Sequence, residues 1–287
     1  MGIEPMSPAA RLAVIGSPIA HSRSPQMHNP ALAACGLDAQ YVRIEVPPGV
    51  VARAFNEFRR QGFWGVNITI PHKREALEAV EFLDPLARQL GTVNTLAIRA
   101  GRFWGFNTDG PGFLRSLREA MSADPKGMSI AVLGAGGGAG RAVAIQCALA
   151  KCAELTLINR GQDRLRELAA ELAQIAPACR LRCLTHEAAN LRRAAEGADL
   201  LINATSLGMR DEDPVLYNAA DLGTKPLVYD MVYRKTGPTA LISAAIEAGC
   251  PHADGMSLLL HQGALSFEHW FERDAPLEVM RQALQAL

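Results

Sequence analysis

Lys73 and Asp109 are the residues of this chain best suited to moving a proton during a reaction. Lys73 closes the run Asn67-Ile-Thr-Ile-Pro-His-Lys73, and Asp109 closes Asn107-Thr-Asp109. Asn94 lies between these runs, and Ser22 and Ser24 lie upstream in His21-Ser-Arg-Ser24. An ammonium hydrogen-bonded to a carbonyl can supply the proton to oxygen as hydride reaches carbon, and a neighbouring carboxylate favours the charged amine and orients it. With the amides of Asn67 and Asn94 and the hydroxyls of Ser22, Ser24 and Thr69, the set suits reduction of a polar carbonyl. Singly, each residue has a plainer reading. The two serines precede Pro25 and a helix and would cap it, and a lone lysine at a rim is ordinarily just solvated. The seven histidines include no HExxH pair and no GxSxG turn is present, so metal hydrolysis and serine acyl transfer lack their parts and no metal site is expected.

Hydride needs a carrier, and the run Gly134-Ala-Gly-Gly-Gly-Ala-Gly140 offers a seat for one. It follows the apolar run Ile130-Ala-Val-Leu133 and precedes a helix-capable stretch, the context in which a glycine fingerprint binds a dinucleotide. Gly134 and Gly136 permit the tight turn and close backbone approach, and Ala139 takes the third, small position. A pyrophosphate then meets the free N–H groups of the helix start. The alternative is a flexible turn with no ligand. The next strand ends in Asn159-Arg160, where an NAD-preferring domain usually carries an acid. Arg160 and Arg164 can instead pair a 2′-phosphate, which favours NADP, with NAD as the alternative.

The elements that must position these groups follow from periodicity. LAVIG, YVRIEV, GVNITI and VNTLAI read as strands alternating with helices over SPQMHNPALAAC, VVARAFNEFRR and HKREALEAV, a βαβ pattern. Val51, Ala54, Phe55 and Phe58 form one helical stripe. Alternation in NITIPHK sends Asn67 and Thr69 to one face, and Pro71 ends the strand so that Lys73 stands at the rim. Arg99-Ala-Gly-Arg102 reads as a hairpin turn. From Ser129 a second α/β pattern begins, with strands SIAVL, LTLIN, ADLLIN and PLVYDMVY, and Ser122–Gly127 is the expected linker before it. From Gly255 helical spacing resumes through Leu258, Leu259, Gln262, Leu265, Ser266 and His269, a tail expected to pack back on the first domain.

Composition agrees with a two-domain chain that folds unaided. The 287 residues correspond to about two domains at roughly 100 to 200 residues each. With 49% hydrophobic and 20% charged residues the chain can bury a full core. Its 29 basic and 29 acidic residues cancel, which argues against nucleic acid or anionic membrane as partners. No apolar run approaches the roughly 18 to 20 residues of a membrane span. The first residues lack the features of a secretory signal, so a cytoplasmic location is expected. The six cysteines show no CxxC spacing, and neither a disulfide framework nor a zinc site is expected.

Taken in order, GSPIAHSRSP, NITIPHK, GTVNT, NTDG, GAGGG, NR, NATSLGM, DMVY and DGMSLLLHQGALSF resemble the shikimate dehydrogenase family. The likeness runs from Gly16 to about Trp270. That family reduces 3-dehydroshikimate with NADPH in aromatic amino-acid (chorismate) biosynthesis. The resemblance implies that Lys73 and Asp109 form the catalytic pair and that Ser22 and Ser24 hold the substrate carboxylate, with Tyr233 nearby. Asn67, Thr69, Asn94 and Gln262 would bind the ring hydroxyls. It further implies that Gly134, Ala135, Gly136, Gly137 and Gly138 cradle the pyrophosphate and that Asn159, Arg160 and Arg164 contact the adenosine phosphate. Thr205, Met231 and Gly255 would line the nicotinamide side, with Asn203 and Ser206 shaping that loop.

Two departures stand out. Gly161 occupies a position where NADP-specific members usually carry Thr. Asp163 could approach a ribose diol, as an Asp does in relatives that use NAD and accept quinate. The expected architecture is α/β in two domains: an N-terminal α/β substrate domain over residues 1–110, a Rossmann-type NADP-binding domain over 111–245, and C-terminal helices over 246–287 returning to the first domain. The expected activity is reversible NADPH-dependent reduction of 3-dehydroshikimate. The alternatives are a quinate or dual quinate/shikimate dehydrogenase using NAD, and a ligand-binding regulator without catalysis. The partner is a small-molecule substrate, with a homodimer left open as the assembly.

Overall fold

The computed structural model describes residues 9–223, 225–234 and 237–286. Residues 1–8, on which much of the secretory-signal reading rests, lie outside the described residues. The chain divides into two compact units, Met1–Thr108 with Gln262–Leu287, and Asp109–His261. No helix among the described residues is long and apolar enough to cross a membrane.

The first unit runs β1 (Ala10–Gly16), α1 (Ser24–Ala34), β2 (Gln40–Glu45), α2 (Val51–Arg60), β3 (Gly65–Ile68), α3 (Lys73–Ala79), β4 (Phe82–Leu83), α4 (Pro85–Leu90), β5 (Thr95–Arg99) and β6 (Arg102–Phe106). Its sheet has the order β2-β1-β3-β5-β6-β4. β1 runs parallel to β2 and β3, while β3, β5 and β6 are successively antiparallel. The hairpin falls at Ala100 and Gly101, both at positive φ, as a two-residue turn of primed type requires. Val51, Phe55 and Phe58 of α2 bury their stripe against Ile15, Val66 and Ile68. The carboxylate of Glu75 on α3 accepts from the Gly49 and Val51 amides at 3.0 and 2.8 Å and so caps the start of α2. Asp84 caps α4 through Leu86 N and Ala87 N, and Gly91, at φ 68, ends it.

The second unit runs α5 (Asp109–Met121), β7 (Ser129–Leu133), α6 (Gly138–Leu149), β8 (Glu154–Asn159), α7 (Gln162–Ile175), β9 (Arg180–Thr185), α8 (Ala188–Glu196), β10 (Leu200–Asn203), β11 (Leu227–Asp230), α9 (Ala240–Ala248) and β12 (His252–Ala253). Every strand pair is parallel, and the order β12-β11-β10-β7-β8-β9 is that of the doubly wound Rossmann fold. The switch of direction lies between β7 and β10, at the carboxyl ends of which such sheets gather ligands. Ser122–Gly127 joins α5 to β7 inside this unit.

The tail forms α10 (Gly255–Phe271) and α11 (Leu277–Gln285). From Gln262 onward it belongs to the first unit. There Trp270 Nε1 donates to Leu96 O at 2.9 Å and His269 stacks on Phe106 at 4.0 Å. Gly65 faces the Trp270 indole so closely that no Cβ could stand between them.

Candidate functional site

In the first unit Asn67, Asn94 and Gln262, of the sequence-expected substrate residues, belong to one buried polar network built on β2, β3, β5 and α10, and Thr69 lies outside it. The Tyr41 hydroxyl donates to Asn67 Oδ1 at 2.7 Å. Asn67 Nδ2 donates toward Ser266 Oγ at 2.9 Å, Thr95 Oγ1 at 3.2 Å and Asn94 O at 3.3 Å. Asn94 Oδ1 accepts from the Thr108 amide at 2.8 Å, and its Nδ2 donates to Thr108 Oγ1 at 2.9 Å. Ser266 Oγ donates in turn to Gln262 O at 3.0 Å, so Gln262 stands one helical turn from the centre of the network. Because these amides already meet protein partners, their orientation is set before any ligand arrives.

Tyr41 connects this network to the serines. Burial raises its phenol well above the ordinary range, with a bond to Ser24 and the charge of Arg43 opposing that rise, so the hydroxyl keeps its proton. Ser22 Oγ donates to Ser24 Oγ at 3.2 Å and accepts from Ser24 N at 3.3 Å. Neither serine is the N-cap of α1, whose cap position is Arg23, with no side-chain bond. Ser24 therefore does not cap the helix, while Ser22 satisfies the first free N–H of α1 from one position before the cap. Beneath Tyr41 the His28 ring stacks at 4.5 Å, and burial lowers its pKa to about 3, which keeps it neutral.

Lys73 is the first residue of α3, and its carbonyl accepts from Val93 N at 2.9 Å. The strand before it stops at Ile68, buried at all four of its positions, rather than continuing to Pro71. Thr69 follows with its amide on Ile15 O at 2.9 Å, and its methyl lies against Gly16, where a Cβ would come within 2.6 Å. Asp109 opens α5 in the second unit, and Tyr233 follows β11 in that unit.

Within the second unit a cavity of about 570 Å³ is bordered by Gly134, Gly137, Asn159, Arg160, Arg164 and Thr205, all expected from the sequence. Gly161, Asp163, His186, Ala204, Ser206 and Leu207 complete its wall. Gly134 has φ +78, a conformation that suits glycine. The close approach of helix to turn falls at Gly140 rather than Ala139, since a Cβ on Gly140 would run into the Gly134 carbonyl. Ala135 is fully buried and Gly136 packs behind Asn159, so neither borders the cavity. Gly138, Met231 and Gly255 also lie off that wall, with Gly255 pressed against the Met231 carbonyl.

The side chains around the cavity fit a phosphorylated dinucleotide. Arg160 and Arg164 are exposed and have no ion-pair partner among the described residues, while the Asp163 carboxylate is paired with Arg166. A fixed hydrogen-bond chain shapes the neighbouring turn. Thr205 donates to Asn203 Oδ1 at 2.7 Å, Asn203 Nδ2 donates to Asp230 Oδ1 at 2.9 Å, and Thr239 donates to Asp230 Oδ2 at 2.5 Å. Burial outweighs these bonds and pushes the Asp230 carboxyl up to about 6. Sequence reasoning does not single out Tyr41, Thr95, Thr108, His186, Asp230 or Ser266 as site residues. For His186 the available signal is its place directly after RLRCLT, an alternating run that is an edge strand.

Comparison with known proteins agrees with this geometry. Residues 14–96 match the model for the shikimate dehydrogenase substrate binding domain, and residues 255–285 match the shikimate 5′-dehydrogenase C-terminal domain. A shikimate dehydrogenase (NADP(+)) of Symbiobacterium thermophilum is 42% identical over 282 residues, 97% of this chain and 95% of that one. The shikimate 5-dehydrogenase of Thermus thermophilus, solved with NADP(H) and shikimate, superposes with a TM-score of 0.84 at 36% identity, covering 96% of this chain and 99% of that one. Quinate dehydrogenase from Corynebacterium glutamicum, solved with NAD, has a TM-score of 0.87 at 28% identity and covers 97% and 100% of the two chains. With 42% identity sustained over nearly the full length of both proteins, this chain belongs to the shikimate dehydrogenase family.

Proposed function

We propose that this chain interconverts 3-dehydroshikimate and shikimate with NADP(H), using Lys73 and Asp109 as its catalytic residues. The observation that carries the reading is the pre-ordered network joining Ser22, Ser24, Asn67 and Asn94, in the same unit as Lys73 and within a stretch matching the family's substrate domain. When bound, NADPH supplies the hydride. Ser22 and Ser24 hold the substrate carboxylate with hydroxyls already oriented toward one another. Asn67, Thr69, Asn94 and Gln262 take the ring hydroxyls, with Tyr233 at the carboxylate end. Lys73 donates a proton to the carbonyl oxygen, and in the oxidising direction its amine takes the proton back. Asp109 orients the amine and the reacting hydroxyl.

The first unit is thus the substrate unit and the second the cofactor unit. There the turn from Gly134 to Gly138 meets the pyrophosphate, Asn159, Arg160 and Arg164 meet the adenosine phosphate, and Thr205, Met231 and Gly255 flank the nicotinamide. A cytoplasmic location belongs to the same reading. Initial rates with shikimate and quinate, each with NADP and NAD, test the reading. The shikimate–NADP pair should give the highest kcat/KM, and a preference for quinate with NAD would overturn it.

A further inference from the structure

We propose that His186 is a specificity residue of the cofactor cavity, donating through Nε2 to the 2′-phosphate that distinguishes NADP from NAD. The inference rests on the NADP reading of that cavity. It starts from register: β8 and β9 are parallel neighbours, and Asn159 pairs with Thr185 at their carboxyl ends. Arg160 and His186 are therefore the first residues beyond the ends of adjacent strands, which lie about 4.8 Å apart in a sheet. In this fold the ribose 2′ position is recognised at the end of the second strand, which here is β8. Both residues border the same cavity as Arg164.

The imidazole is not satisfied. Its Nε2 is shielded from solvent and has no hydrogen-bond partner among the described residues. A buried polar nitrogen without a partner is costly, and a turn of the ring toward an acceptor bound in the cavity relieves that cost. The loop carrying it is fixed independently of any ligand. Thr185 Oγ1 donates to Glu187 Oε1 at 2.8 Å, and Asn190 Nδ2 donates to Thr185 Oγ1 at 2.8 Å. On the same wall Arg160 and Arg164 lack ion-pair partners among the described residues, so it offers donors and cations suited to an anion. Gly161, on the same wall, contributes no side chain, although a Cβ there would meet nothing nearer than Asn159 Nδ2 at 3.6 Å. The donor that residue 161 does not provide comes from the next strand.

The test is calorimetric titration of adenosine 2′,5′-bisphosphate and of ADP into the wild-type chain, His186→Ala and His186→Gln. Loss of one hydrogen bond to a charged phosphate should weaken the 2′,5′-bisphosphate about tenfold in His186→Ala. ADP binding should change less than about twofold, because it carries no 2′-phosphate for the lost donor. His186→Gln keeps a donor and should fall between wild type and His186→Ala for the bisphosphate alone. Equal weakening of both ligands would mean that the ring contacts adenine or only supports the loop, and it would overturn the inference, as would no change in either. If the wild-type chain binds neither ligand, the cofactor reading itself fails. If wild type binds both and only the discrimination by His186 is missing, this inference alone fails.

Discussion

The Tyr41 hydroxyl and Asn67 Oδ1 meet at 2.7 Å in full burial, and that bond fixes which face the Asn67 amide turns toward its other partners. Tyr41→Phe keeps the ring stacked on His28 but leaves a buried carbonyl oxygen without its donor, at a cost of about 1–3 kcal/mol. The expected outcome is a lower melting temperature together with a raised KM for shikimate and an unchanged KM for NADP. Steady-state kinetics and thermal melts check it, and equal changes in both KM values would contradict it.

Gly140 and the Gly134 carbonyl are in such close approach that a methyl group cannot enter without moving backbone. Gly140→Ala should therefore distort the cradle. Overpacking of this kind costs about 1–3 kcal/mol, and NADP affinity should fall by about an order of magnitude or more. The polar network of Asn67 and Asn94 belongs to the other unit, so shikimate KM at saturating cofactor should hold. Calorimetry with NADP reads the first effect and initial rates the second.

Asp230 carries a pH signature. Its folded carboxyl sits at about 6 against an ordinary 3.8, so folding takes up a proton between those values. Relative stability is highest below the ordinary value, falls as pH rises through the window by roughly 3 kcal/mol, and is flat above pH 6. Asp230→Asn retains an oxygen for Asn203 Nδ2 and Val232 N and removes the titration. Urea unfolding of both proteins from pH 4 to 7.5 should give a wild-type-minus-variant difference that declines to about pH 6. A difference that rises across that window would contradict the assignment.

Much of the fold was legible because its signals are local. The hairpin at Ala100-Gly101 and the glycine turn at Gly134 are dictated by backbone conformations that few residues adopt. β9 escaped notice because it is an edge strand, and its arginines and partly exposed apolar residues form no buried run. β4 has only two residues, too few for any period. The site divides the same way. Ser22, Ser24, Asn67 and Asn94 stand in recognisable segments, but the residues that orient them are distant in sequence. Tyr41 is 26 positions from Asn67 and Ser266 is 199, separations that spacing cannot reveal.

The central claim is that Lys73 manages the proton of the reaction. Its most direct test is Lys73→Ala assayed with saturating shikimate and NADP, alongside calorimetric binding of NADP. General acid–base groups contribute about 10²- to 10⁴-fold, so kcat should fall by that order while NADP affinity stays within about threefold. A variant that retains kcat within a few-fold of wild type would contradict the account.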